Sequence, residues 1–290
     1  MHLNRKQICE IYLVTGGVPK YLSFLEPASS AIQCIQSLCY NPQSPLISEF
    51  HKLFHSLFKH PESHIEIIKI LASKRRGLTR QEILKTAKIP IGGHSSKILR
   101  ELEESDFITA LYEKEKQDRS ITYILSDEYS LFYLNWIDPI KSSILRGDDT
   151  NYWIKMAGTS SWLSWAGFAF ESLCLKHIHQ IKEALKIGGV QTQASYWKSS
   201  AAGKKNSEID LVIDRADQCI NLCEIKFCNS IYEVTKSYAQ ELQAKKEAFK
   251  TKTKTRKTLF ITLITPFGAS INTAFLSSVD NQIVIDELFC

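Results

Sequence analysis

The chain has 290 residues, 44% of them apolar and 23% charged, with a formal net charge of +5. That length accommodates two or three domains, each able to bury a core, and the composition belongs to a soluble globular protein rather than a disordered or fibrous one. No apolar run reaches the roughly 18 residues of a membrane span, and the opening "MHLNRKQICEIYLVTGGVP" lacks the apolar core and small-residue cleavage site of a signal peptide, so a cytoplasmic protein without a membrane partner is expected.

Residues 1–58 read as helices. "QICEIYLVTGGVPKYLSFL" is an apolar helix, a Gly-Gly-Val-Pro break and a second helix, with the proline in the first turn, where its missing N–H costs nothing. "SPLISEFHKLFHSLFK" follows, with apolar Phe50, Leu53, Phe54, Leu57 and Phe58 at helical spacing. Residues 59–137 change rhythm. "ESHIEIIKILAS" and "LTRQEILKTAK" are amphipathic helices, and Thr79 with Glu82 has capping-box spacing. "HSSKILRELEESDFI" is a third helix, with Ile98, Leu99 and Leu102 inward and Ser95, Ser96, Lys97, Arg100, Glu101, Glu103 and Glu104 outward. "ALYEKEKQDRSITYIL" reads as two strands around a charged turn. Three helices and a hairpin make a winged helix-turn-helix, in which Lys97 and Arg100 are the candidate nucleic-acid contacts of the third helix. The three glutamates on that helix oppose a phosphate-lined groove, so a protein-packing role competes with DNA binding.

Residues 138–160 form a linker, with "RGDDTN" as its loop. The last domain, 161–290, opens on "SWLSWAGFAFESLCLKHIHQIKEALKI", read as one long helix. Strands "EIDLVIDR" and "INLCEIKF", a helix "SYAQELQAKKEAFK", a buried strand "TLFITLITPFG" and a terminal strand or short helix "NQIVIDELF" complete it. The fold class expected is α+β multidomain: helical segment, winged helix, then a mixed sheet flanked by helices.

Chemistry concentrates in the two central strands. A turn near Ala216-Asp217-Gln218 sets Asp210 beside Glu224, and strand alternation puts Glu224 and Lys226 on one face. Two carboxylates there are the candidate ligands of Mg²⁺ or Mn²⁺, ions that keep several waters and take one or two carboxylates. Lys226 is placed to orient water or to stabilise negative charge, and Glu171 on the preceding helix is a candidate third carboxylate. Charges within the apolar "LCEIKF" are costly unless they have work to do.

Elsewhere, the eight cysteines lack the tight pairs of zinc sites and read as reduced thiols. "KKEAFKTKTKTRK", residues 245–257, holds seven Lys or Arg against one acid. It is a solvated helix end or a phosphate-contacting surface, with Lys252, Lys254, Arg256 and Lys257 as the contacts.

The order of helical Glu171 in "FAFESL", Asp210 in "SEIDLVI", then Glu224 and Lys226 in "CEIKF" resembles the PD-(D/E)xK nuclease superfamily. More broadly, the chain resembles the C-terminal part of prokaryotic ATPases of the archaeal-type AAA family. "TGGVPKYLSFL" is similar to their lid motif, and "WAGFAFESLC", "EIDLVIDRADQCINLCEIKF" and "LITPFG" are similar to their C-terminal domain. The resemblance implies a restriction-endonuclease-like last domain, a metal-dependent nuclease site, and a chain that begins inside the lid. It departs in two places. No G-x-x-x-x-G-K-[ST] occurs, so neither nucleotide binding nor ATPase activity is carried over, and Ile209 stands where the superfamily's proline would precede Asp210. The expected function is hydrolysis or binding of DNA or RNA. The alternatives are a non-catalytic nucleic-acid- or protein-binding module, and an accessory subunit docked on a separate ATPase or on a second copy of this chain.

Overall fold

A computed structural model describes residues 3–74, 77–112, 121–199 and 207–289. The chain divides into two compact units, Met1–Ala110 with Thr122–Leu173, and Leu111–Ile121 with Cys174–Cys290. No helix among the described residues is long and apolar enough to cross a membrane.

The first unit opens with α1 (Arg5–Thr15), held by a reciprocal capping box between Asn4 and Gln7. It stops at Gly16, whose φ of 61° is the left-handed turn that glycine adopts without strain. A Cβ there would also lie 2.9 Å from Glu128 Oε2. Pro19 then starts α2 (Pro19–Leu22) at its first position. Helices α3 (Ala31–Cys39) and α4 (Leu46–Leu57) follow. Phe50 and Phe54 of α4 are fully buried, whereas Leu57, expected inward with them, is 53% exposed because the helix ends there.

Next come α5 (Glu62–Ala72), β1 (Leu78–Thr79), α6 (Arg80–Thr86), α7 (Gly93–Glu104), β2 (Ile108–Tyr112) and β3 (Ile121–Leu125), with the strands in the order β1-β3-β2. Thr79 and Glu82 form the expected capping box, and Ile98, Leu99 and Leu102 are buried as their spacing requires. Ser95, expected outward, is instead fully buried. Its hydroxyl accepts from Gly92 N and donates to Gly92 O, closing the N-terminus of α7. Buried His64 of α5 meets Glu101 of α7 at 2.9 Å. The charged turn expected at 113–120 lies outside the described residues.

The unit closes with α8 (Glu128–Phe132), a π-helical turn at Tyr133–Ile137, α9 (Lys141–Arg146) and α10 (Tyr152–Met156). Aromatic rings from α8, the π-helical turn and α10 pack in its core with Tyr40, which caps α3, and with the rings of α4. Tyr133 stacks on Phe50 with centroids 4.6 Å apart, and Trp153 stacks on Tyr40 at 5.6 Å. Buried phenols find acceptors: Tyr129 OH donates to Leu46 O at 2.7 Å.

Helix α11 (Ser160–Lys176) contains the division between the units. The single long helix expected here is two, because the chain leaves helical geometry at His177 before α12 (Ile178–Ala184). In the second unit, β4 (Thr192–Ser199), β5 (Ser207–Arg215), β6 (Cys219–Ile225), β7 (Thr258–Thr265) and β8 (Asn281–Val284) form one mixed sheet in that order. β4, β5 and β6 run antiparallel, and β6, β7 and β8 run parallel. β4 is not among the strands expected from the sequence: its "TQASYWKS" buries only Ser195 and Trp197. The hairpin of β5 and β6 and the buried β7 are as expected. Helix α13 (Lys236–Thr253) packs Ala239, Leu242 and Phe249 against Trp197, Val212, Ile220, Leu222 and Ile261. The connection to β8 carries α14 (Thr273–Ser278), and the chain ends in a 3-10 turn after β8.

Candidate active site

The site begins with a break in register. Ser195 of β4 pairs with Val212 of β5, but Trp197 pairs with Ile209. One β4 residue, Tyr196, therefore faces two on β5, Asp210 and Leu211. This is a β-bulge, a device that re-aims a side chain and ends regular pairing. It also lets Ile209 and Val212, three residues apart, join the same core. On its other side β5 pairs with β6 as far as Leu211 opposite Cys223. Just beyond, Ile225 N donates to Asp210 Oδ2 at 2.8 Å, so a carboxylate takes the N–H that the ladder leaves over.

Glu224, the next residue outward from Cys223, continues the face of Ile220 and Leu222 toward α13. It is 1% exposed. Its Oε2 accepts from Lys245 Nζ at 2.7 Å and from Tyr238 OH at 3.3 Å, both on α13, and Lys226 Nζ lies 3.5 Å from the same oxygen. Its Oε1 is buried without a hydrogen-bond donor among the described residues. Burial, then the nearby Asp210 charge, push the Glu224 carboxyl above the usual carboxylate range, against the pull of Lys245 and Lys226.

Lys226 follows the end of β6, where its N–H donates to Ile264 O at 2.9 Å. Its side chain is one-third exposed, and its ammonium sits 5.7 Å above the Tyr238 ring. Burial opposes its charge, but Asp210 and Glu224 outweigh burial and hold its pKa above the ordinary lysine value.

The structure thus brings together Asp210, Glu224 and Lys226. Glu171 is half-buried on α11, in the first unit. Among the described residues, no three or more His, Cys, Asp or Glu side chains gather into a metal-holding group. The donor set is the Asp210–Glu224 pair. Two hard oxygens, one of them orphaned in the interior, fit a cation that retains most of its water. The described cysteines are all free.

Of the basic candidates, Lys252, Lys254 and Arg256 are exposed at the end of α13 and just after it. Lys257 is half-buried, with Nζ donating to Asp214 Oδ1 at 2.6 Å and to Arg215 O at 2.7 Å. Lys97 and Arg100 are exposed on α7, and Lys97 pairs with Glu101 at 3.6 Å. Lys245, placed by the sequence in a solvated basic run, and Tyr238 are the site residues that sequence reasoning missed. A signal existed: Leu242, Lys245 and Phe249 share the helical spacing of a buried stripe, with a lysine inside it.

Residues 133–245 are similar to the family DUF234, described as archaeal and bacterial proteins of unknown function. Neither a curated protein nor a solved structure matches the chain. The similarity covers less than half of the chain, yet it spans Asp210, Glu224, Lys226, Tyr238 and Lys245.

Proposed function

We infer that the second unit is a Mg²⁺- or Mn²⁺-dependent phosphodiesterase acting on DNA or RNA. The observation that carries this reading is the meeting of Asp210 and Glu224 at the bulged end of the hairpin, with Glu224 Oε1 left buried and undonated. Among the described residues several buried side-chain atoms lack a partner, and Oε1 is the carboxylate oxygen among them. The mixed sheet, with its acids at the hairpin end, supports a restriction-endonuclease-like fold. Three helices with a β1-β3-β2 sheet support a winged helix at 59–137.

Asp210 and Glu224 are the ligands in this reading. A bound divalent cation supplies Lewis-acid polarisation of a phosphodiester and a lowered pKa for bound water. Asp210 is held in place through Ile225 N, and Glu224 through Lys245 and Tyr238. Lys226 keeps its proton and offers a partly exposed positive charge beside both carboxylates, suited to the charge that develops on the phosphoryl oxygens. Glu171 enters as an accessory carboxylate on the sequence resemblance alone. Lys252, Lys254 and Arg256, with Lys97 and Arg100, are the candidate phosphate contacts, while Lys257 is engaged by Asp214.

One observation favours a second reading, a non-catalytic nucleic-acid- or protein-binding module or an accessory subunit of a separate ATPase: Lys245 already neutralises Glu224 without any metal. Single-turnover cleavage with Mn²⁺ on single-stranded, duplex and branched substrates separates the two. Wild-type cleavage that Asp210→Asn abolishes, with metal affinity reduced, supports the enzyme. Asparagine still accepts from Ile225 N, so the fold survives the change. Metal binding without any cleavage supports the module.

A further inference from the structure

The hydrogen bonds of Glu224 are lopsided. Lys245 Nζ at 2.7 Å, Tyr238 OH at 3.3 Å and Lys226 Nζ at 3.5 Å all crowd Oε2, and no donor among the described residues reaches Oε1. The Lys245 side chain is only 14% exposed, and its ammonium lies closer to Glu224 Oε2, at 2.7 Å, than to Glu241 Oε1, at 3.8 Å. An anchored carboxylate of this kind has one oxygen to offer. That matters because divalent cations differ in what they ask of a carboxylate. Ca²⁺ takes six to eight oxygens and readily uses both oxygens of one carboxylate, whereas Mg²⁺ demands compact octahedral geometry and keeps its waters.

We propose that Lys245, assisted by Tyr238, is a positioning residue that occupies Glu224 Oε2, limits Glu224 to a single ligand oxygen, Oε1, and so makes the site select Mg²⁺ over Ca²⁺. This rests on the metal-site reading of Asp210 and Glu224. It assigns to α13 a selectivity role that belongs neither to the two ligands nor to Lys226.

Calorimetric titration of the full chain with Mg²⁺ and, separately, with Ca²⁺ tests it. The quantity read is the ratio of the Ca²⁺ to the Mg²⁺ dissociation constant. Removing one positive charge alters the attraction for two divalent ions alike, so their ratio is insensitive to plain electrostatics and reports denticity. Lys245→Met removes the shortest of the three contacts on Oε2 and should lower the ratio by about tenfold, the lower end of effects from groups that orient metal ligands. Tyr238→Phe should lower it less, and it decides the matter alone if circular dichroism shows Lys245→Met unfolded. A purely structural lysine would weaken both ions together and leave the ratio fixed. An unchanged ratio, with Mg²⁺ still bound, overturns the role of Lys245 and leaves the metal site standing. No Mg²⁺ binding by the wild-type chain overturns the metal site, and this inference with it.

Discussion

The two units bury polarity in different ways. The core of the first is aromatic, with Phe50, Phe54, Phe132, Tyr133 and Trp153 within it and the phenols of Tyr40 and Tyr129 donating to backbone carbonyls. Its buried Glu128 and His64 lie on separate helices, α8 and α5. The second unit has an equally apolar centre around Trp197, Leu222 and Phe249, yet one end of it holds a buried carboxylate with two lysines on a single oxygen. Buried charge gives little net stability, because desolvation consumes most of the Coulombic gain. What sets the second unit apart is the crowding of two ammonium groups on one buried carboxylate oxygen, an arrangement that stability alone does not call for.

The largest expected effect lies on the apolar side of that contrast. Phe50→Ala removes a fully buried ring stacked on Tyr133 and should lower stability by about 3–5 kcal/mol, measured by urea unfolding. Mn²⁺ affinity in the second unit should be unchanged, and a parallel loss would break the distinction between the two interiors. Lys226→Ala sharpens it from the other side. Metal binding should survive, since lysine is not a ligand, while the single-turnover rate falls by roughly 10²- to 10³-fold. Equal inactivity of wild type and variant would mean that the buried charges are a relic.

A smaller effect is expected at the surface. Changing Lys252, Lys254 and Arg256 to Gln, with Lys257 left to hold Asp214, should weaken nucleic-acid binding about equally over all sequences. The slope of log affinity against log salt should drop by roughly 0.9 for each duplex phosphate that the chain no longer neutralises. An unaltered slope makes that run a solvated surface. Least of all should change at Cys9, whose thiol is pushed up to about 12 by burial and by neighbouring Glu10. Its folded form keeps its proton through pH 9, so alkylation there should spare Cys9 in the native chain and label it once urea is added. Labelling of native Cys9 at pH 9 would show that the first interior opens more easily than its packing suggests.

Much of the second unit is legible in its residues. Alternation and a polar turn place β5 and β6, an unbroken apolar run places β7, and acid-x-lysine within "LCEIKF" points to the site. The rest is hidden for identifiable reasons. β4 is an outer strand, buried at only two side chains, so its pattern is too weak for alternation to reveal. Lys245 sits in a run of lysines whose charge masks its spacing. Leu57 and Ser95 depart from expectation because helix ends obey capping and termination rather than the 3.6-residue period. The bulge has no signal at all: Asp210 and Leu211 are ordinary strand neighbours until β4 fails to keep step with them.

That bulge restricts how the sequence can vary through descent. Side chains alternate along a strand, so losing one residue between Ile209 and Val212 would bring β5 back into step with β4. The sheet would become more regular, and backbone pairing alone would favour the change. Ile209 and Val212, then two residues apart, would share a face by plain alternation, but the carboxylate that receives Ile225 N would be removed or turned to the opposite face. A shortened variant should thus be recognisable by a tidier strand and an empty site. Lineages that keep the extra residue retain an imperfection that folding would discard.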